Sequence, residues 1–317
     1  MRTVRFHQYG GPGVLRVDEV PDPVPAAGEL LIRVEAAGIG FADLQLRSGA
    51  LRAWAPDLPL PFNPGHEAVG TVIEAGTDTA LVGTKVMATS PGGGAYADLL
   101  IVPAAAAVPL PDEIDPHHAL ALLSQGTTAV GVLEKAGVAP GERVLVEAAT
   151  GGVGSLLVQL AKHAGAEVVA AVHGEAKAAI ARDLGADAIV DLNDPDWAVD
   201  LEPVHAVLES IGGPVTRTAL GLLRPAVGRM VVYGNLSGEP HAIDPETVYL
   251  RALSVLGFAS ALMPPERLAP FRDRAFELAA SGALKPIIGS TRPLAEAAEA
   301  HAAIEARTTI GKNILVP

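Results

Sequence analysis

No cysteine occurs anywhere in the 317 residues. Disulfides and thiol catalysis are thereby excluded, and the commonest soft ligand of a protein-bound metal is missing. Aromatic residues make up only 4% of a chain that is 49% hydrophobic, so its cores must pack Ala, Val and Leu. Positive charge is scarce too: 23 Lys and Arg stand against 36 Asp and Glu, for a net charge of −13. With no basic stretch, neither nucleic acid nor a membrane surface is expected as a partner. The stretch His117 to Leu133 lacks formal charge, but it is too short and, with Ser124, Gln125 and two threonines, too polar to span a bilayer. The opening MRTVRFHQYG carries no apolar signal core, so a cytoplasmic location is the expectation.

Glycine is abundant, and its most informative use is Ala148-Ala149-Thr150-Gly151-Gly152-Val153-Gly154. Val144-Leu145-Val146 before it reads as a buried strand. Leu156, Leu157, Leu160, Ala161 and Ala164 after it recur at helical spacing until Gly165. A glycine turn from strand to helix lets backbone N–H groups and the helix dipole face a diphosphate. Gly151 and Gly154 fill the second and third positions of the dinucleotide fingerprint, and Ala149 takes the first.

Residues 1–110 read as β-rich, with short runs at Val4-Phe6, Leu15-Val20, Leu30-Ala36, Val69-Glu74, Lys85-Ala88 and Tyr96-Val102 between Gly and Pro clusters. From about 118 the rhythm becomes α/β. Strands are predicted at Val144-Val146, Val168-Val172, Ala188-Asp191, Ala206-Glu209, Met230-Tyr233 and Leu253-Phe258, with helices including 175–184 and 215–223. Six strands with helical crossovers imply a doubly wound parallel sheet of Rossmann type. The tail holds helices near 266–281 and 294–306 and a final strand, Lys312-Val316. The expected division is therefore a Rossmann domain over 118–259, inserted into a β-rich domain of residues 1–117 and 260–317.

Further marks run from end to end: Gly38-Ile39-Gly40-Phe41-Ala42-Asp43, Pro64-Gly65-His66-Glu67, Gly126-Thr127-Thr128-Ala129, Leu208-Glu209-Ser210-Ile211-Gly212-Gly213 and Gly311-Lys312-Asn313. With the glycine loop, they resemble the medium-chain dehydrogenase/reductase superfamily and, within it, the zinc-free quinone oxidoreductase branch. The resemblance implies a GroES-like catalytic domain, a Rossmann domain, a cleft between them and a nicotinamide cofactor. It also implies a homodimer, with Leu253 to Phe258 pairing across a twofold axis.

The zinc-dependent relatives hold their metal with two cysteines and the histidine of the GHE motif. The matching positions here are Gly40, His66 and Ser124, and a catalytic zinc ordinarily takes three protein ligands. No metal is expected. The relay hydroxyl of the alcohol-oxidising relatives is replaced by Ala42, which argues against alcohol oxidation. His66 has two open readings: a proton donor suited to neutral pH, or a hydrogen-bonded remnant that fixes its loop. Tyr96 is a further catalytic candidate by the family pattern, with core or rim as its alternative.

NAD-specific Rossmann folds place a carboxylate at the end of the second strand. His173 stands there instead, and Lys177, one helical turn later, matches a lysine that contacts the 2′-phosphate of NADPH in the quinone oxidoreductases. The missing acid and that ammonium favour NADPH. By resemblance Thr150, Gly151, Gly152, Val153, Gly154, Ser210, Tyr233, Gly234, Asn235 and Asn313 complete the cofactor site, and Thr128 flanks the nicotinamide. Gly40, Phe41, Leu51, Trp54, Phe62, Phe258 and Met263 are the substrate-pocket candidates, each with plain packing as its alternative. Gly40 and Leu51 replace an asparagine and a tyrosine common in the branch.

The expected function is a zinc-independent NADPH-dependent reductase delivering hydride to a quinone or an activated alkene. A specific tailoring enoyl reductase and a non-catalytic NADPH-binding protein are the alternatives.

Overall fold

The computed structural model describes residues 1–53 and 55–317, so the pocket candidate Trp54 lies outside the described residues. The chain divides into two compact units, Met1–Leu123 with Ile287–Pro317, and Ser124–Pro286.

In the first unit the long strand Glu29–Ile39 is the organiser. It pairs antiparallel with Glu67–Ala75, with Leu99–Pro103 and, at its far end, with Lys312–Val316. Ile288–Pro293 lies parallel to Lys312–Val316 on the other side, while Lys85–Thr89 and Ala107–Pro109 extend the sheet beyond Glu67–Ala75. The C-terminal strand is thus an interior strand of a sheet begun by residue 29, which is why the last residues complete the first unit. The core is aliphatic, as the composition requires: Leu30, Ile32, Val34, Val86 and Leu100 pack with Phe6, Phe62 and Tyr96.

The second unit is the expected doubly wound sheet. Its six parallel strands are Arg143–Val146, Glu167–Val172, Ala188–Asp191, Ala206–Glu209, Arg229–Val232 and Ser254–Gly257. Their spatial order is third, second, first, fourth, fifth, sixth. Val144, Leu145 and Val146 are fully buried, as a parallel sheet covered on both faces demands. The winding reverses between Arg143–Val146 and Ala206–Glu209, and ligands of open α/β sheets bind beyond the carboxyl ends of strands at that switch.

Two expectations shift. Tyr96 precedes the strand Leu99–Pro103 rather than opening it. Helix Pro265–Ala280 falls within the second unit, although its residues were expected in the β-rich one. It packs on helix Thr127–Ala136, where Gly131 leaves room for Phe258 and Phe271, whose ring centroids are 6.0 Å apart.

Candidate active site

Strand Arg143–Val146 runs into Ala148, a non-glycine residue at φ +47°, and the chain then turns into helix Gly152–His163. The turn is closed by the Gly151 N–H donating to Ala148 O at 2.8 Å. Gly151 is the N-cap and offers no side chain, so no side-chain group caps the helix start. Gly151, Gly152 and Val153 are half-exposed, while Thr150 and Gly154 are buried beneath them. A Cβ on Gly154 would stand 2.2 Å from Ala148 O, and one on Gly152 about 2.3 Å from the Gln125 carboxamide. At Gly154 the close atoms are backbone and only glycine fits, whereas at Gly152 they are the movable end of the Gln125 side chain; the helix N-terminus is open to an anion.

At the end of the second strand His173 is half-exposed, its Nδ1 3.2 Å from Asn193 Oδ1. Gly174, at φ +78°, donates its N–H to Asp191. Lys177 lies half-buried in the first turn of helix Glu175–Asp183, whereas Glu175 faces solvent and pairs with Arg182 at 2.6 Å. Thr128 is buried and donates its hydroxyl hydrogen bond to Ser260 Oγ at 3.2 Å. Ser210 is buried just after the fourth strand, and Tyr233 and Asn235 follow the fifth strand with Gly234, whose carbonyl accepts from His241 Nε2 at 2.9 Å. Burial raises the Tyr233 phenol above its ordinary value, so it stays neutral. Asn313 belongs to the first unit, where it is buried and accepts the Ser290 hydroxyl hydrogen bond.

The first unit carries its own polar centre. Asp43, buried in helix Phe41–Ser48, reaches back to accept the Gly40 N–H at 2.8 Å. It also accepts the Gly65 N–H at 2.9 Å, His66 Nδ1 at 2.6 Å and the Tyr96 hydroxyl at 3.3 Å. With Nδ1 taken by Asp43, Nε2 is the nitrogen left for an outside partner, on a ring that is 32% exposed. Burial works against charging His66, but the Asp43 carboxylate outweighs it and raises the imidazole above its ordinary value. Burial likewise disfavours the Asp43 anion, yet His66 and the two backbone N–H groups hold it below the usual carboxylate range. Tyr96 is fully buried and also lies 3.1 Å from His301 Nε2. Burial and the Asp43 charge push its phenol far up, and burial pushes His301 down to about 4, so both are neutral near pH 7. Tyr96 buttresses Asp43 from inside.

Behind His66 the buried Glu67 carboxylate pairs with the buried ammonium of Lys312, which also donates to Ile39 O at 3.1 Å. Gly38 makes room, since a Cβ there would lie 2.6 Å from Glu67 Oε1. Removing one partner of such a pair leaves a buried charge unanswered. Lys312→Met is expected to lower unfolding free energy by about 3–5 kcal/mol in denaturant titrations, with Glu67→Gln in the same chain recovering much of it. A single variant as stable as the parent would contradict that.

Of the pocket candidates, Phe62 is buried in the core against Phe6, and Phe258 against Phe271 and Gly131. Phe41 is half-buried on the first unit's core; Gly40, Leu51 and Met263 are also half-buried. Asp43, Lys312, Glu147, Glu209 and His241 were not singled out from sequence. Asp43 alone had a readable signal, as an acid three residues past a glycine at a helix start.

Two family models match the chain: "Alcohol dehydrogenase GroES-like domain" over residues 26–112 and "Zinc-binding dehydrogenase" over 152–276. Quinone oxidoreductase of Pseudomonas aeruginosa is 31% identical over 100% of this chain and 99% of its own. 2-Haloacrylate reductase of Burkholderia is 32% identical over 98% of each. The solved structure of Escherichia coli quinone oxidoreductase with NADPH superposes at TM-score 0.91, with 30% identity and both chains fully covered. A mycobacterial protein solved with NADPH gives the same TM-score at 33% identity, again over both whole chains. The chain belongs to the medium-chain dehydrogenase/reductase superfamily, in its quinone oxidoreductase branch.

Proposed function

We propose that this chain is an NADPH-dependent reductase that delivers hydride to a quinone or an activated alkene and works without a metal. The observation that carries the reading is the glycine loop. Its uncapped helix start, packed against backbone with no room for a Cβ at Gly154, suits a diphosphate. End-to-end similarity to proteins solved with NADPH supports the same cofactor. Thr150 and Gly151 to Gly154 hold the diphosphate, and His173 and Lys177 receive the 2′-phosphate. Thr128, Ser210, Tyr233, Gly234, Asn235 and Asn313 complete the cofactor site.

A catalytic zinc does not fit this donor set. Gly40 has no side chain and its N–H is bound to Asp43, Ser124 is a poor ligand, and Glu67 is neutralised by Lys312. Among the described residues no group of three or more His, Asp or Glu is placed to hold a metal.

When bound, reduced nicotinamide supplies the hydride, which needs positioning and exclusion of water more than side-chain chemistry. A quinone can take its proton from solvent. An activated alkene needs one at the carbon α to its activating group, and His66 Nε2, held in place by Asp43, is the group proposed to deliver it. Phe41, Leu51 and Met263 remain proposed lining residues.

NADPH and NADH oxidation are followed in parallel against quinones and small enones. NADPH-preferring turnover that persists in chelator is the expected result; no turnover with any acceptor, or turnover only with added zinc, would overturn the reading. Lys177→Ala is expected to weaken NADPH binding about tenfold and leave NADH unchanged, measured by nucleotide fluorescence titration. Equal losses for both would remove Lys177 from the 2′-phosphate site.

No helix among the described residues is long and apolar enough to cross a membrane. A cytoplasmic homodimer is proposed, joined through the edge strand Ser254–Gly257, an unpaired rim that otherwise invites aggregation. Light scattering at the 32.4 kDa of one chain would contradict the dimer.

A further inference from the structure

Two glutamates end adjacent strands at the point where the sheet reverses. Glu147 follows Arg143–Val146 and leads into the glycine loop, and Glu209 closes Ala206–Glu209. Both are fully buried, and the parallel register that sets Leu208 beside Val146 places them as neighbours on adjacent strands. Two carboxylates cannot bond to each other, because each offers only acceptors. Glu147 Oε1 and Glu209 Oε2 each have no hydrogen-bond partner among the described residues. One proton between the groups satisfies both.

The surrounding donors decide where that proton sits. Glu209 Oε1 accepts from the Gly212 N–H at 2.6 Å and the Thr216 hydroxyl at 2.8 Å, while His241 Nε2 lies 2.9 Å from Oε2 without a hydrogen bond to it. His241 Nε2 is instead bonded to the Gly234 carbonyl, which only accepts, so this nitrogen must carry hydrogen. Glu147 receives only the longer Ser210 and Ile211 N–H bonds, each 3.2 Å, at Oε2. The carboxylate is therefore Glu209 and the acid is Glu147. The remaining titratable group facing them is the neutral phenol of Tyr233.

We infer that Glu147 and Glu209 share a single proton and act as a positioning pair, tying the glycine loop to the loops that follow the fourth and fifth strands. This rests on those loops forming the dinucleotide site. Neither acid is assigned contact with the cofactor. Glu147 anchors Ser210 and Ile211, Glu209 anchors Gly212 and helix Gly213–Leu222, and His241 extends the hold to Gly234. With the shared proton lost, two buried negative charges repel across the switch point, and both loop geometry and nucleotide affinity suffer.

The pH dependence has a definite sign. Burial and the neighbouring Glu209 charge push Glu147 well above the ordinary glutamate value. The folded protein thus keeps a proton that the unfolded chain releases above about pH 4.3, and stability falls as pH rises from there until folded Glu147 ionises. Glu147→Gln copies the neutral acid, its amide donating to Glu209 and its carbonyl accepting from Ser210 and Ile211.

Infrared spectroscopy of the nucleotide-free protein is the first arm of the test. A protonated-carboxyl band near neutral pH, shifted by 13C-glutamate labelling and missing in E147Q, is expected; a band absent from the parent, or intact in E147Q, overturns the pair. The second arm follows NADPH affinity against pH. The parent is expected to lose about tenfold on raising the pH through ionisation of the pair, while E147Q stays within about twofold throughout. The same slope in both proteins overturns the positioning role. Should E147Q not fold, the band in the labelled parent and its loss in E209Q decide the matter. A parent that shows the band but binds no NADPH refutes the reductase reading and the positioning role together, and leaves the shared proton standing.

Discussion

Gly154→Ala is expected to abolish useful NADPH binding while Gly151→Ala leaves the fold almost untouched. The two glycines sit three residues apart on one loop, yet they face different constraints. A methyl group at Gly154 would stand 2.2 Å from Ala148 O and 2.8 Å from its carbonyl carbon, and neither backbone atom can rotate away. The helix Gly152–His163 must then lift from the strand that feeds it. Overpacking of this kind costs about 1–3 kcal/mol of stability. The larger effect falls on the ligand, because the displaced helix start carries the N–H groups offered to the diphosphate. Losing two charge-assisted bonds weakens binding by about 100-fold or more. At Gly151 the same methyl group meets Ala148 O at 3.2 Å and the backbone is already in an ordinary extended conformation, so a small adjustment accommodates it. Denaturant titration and nucleotide fluorescence measure the two consequences separately. A G154A protein with parental affinity would refute the assignment of this loop.

Asp43→Ala is the second large effect. The side chain is 1% exposed and accepts from two backbone N–H groups, an imidazole and a phenol. Truncation leaves those donors buried without an acceptor, at a cost of about 3–5 kcal/mol. Two opposite pH dependences meet in this pair. Asp43 is held below its ordinary value, so its contribution is present above about pH 3.9 and is lost as pH falls through its folded value. His66 is raised, so its contribution is full below about pH 6.5 and disappears as pH rises through its folded value. Asp43→Asn removes the charge that raises His66. Enone reduction in that variant is expected to fall by about 100-fold, with its alkaline limb displaced to lower pH, while quinone reduction changes far less. Equal losses on both acceptors would make His66 and Asp43 purely structural.

Much of the fold was legible because the second unit is built from strands buried on both faces. Runs such as Val144-Leu145-Val146 and Val168 to Val172 announce themselves without any partner being known. Ile288–Pro293 went unread for the opposite reason. It contains glycine, serine and proline, alternates half-buried with exposed positions, and becomes a strand only because Lys312–Val316 lies beside it. Gly289 there lies so close to Ile310 O that a Cβ would be 1.9 Å away, a demand set wholly by the neighbouring chain. The site divides in the same way. The glycine loop is local in sequence and was visible, as was His66 in its motif. Tyr96 was singled out, but its position inside the network depends on Asp43, 53 residues earlier, and on His301, 205 residues later. Glu147 bonds the backbone of Ser210, 63 residues away, and no spacing rule reaches that far.

The most direct test of the proposed reaction supplies NADPH deuterated at the transferable C4 position together with an enone, and locates the label in the product. Deuterium on the carbon β to the carbonyl, with the carbonyl intact and the yield indifferent to chelator, is the predicted result. Deuterium on the carbinol carbon of an allylic alcohol would identify carbonyl reduction of the alcohol dehydrogenase kind, and would contradict the quinone and alkene reductase proposed here.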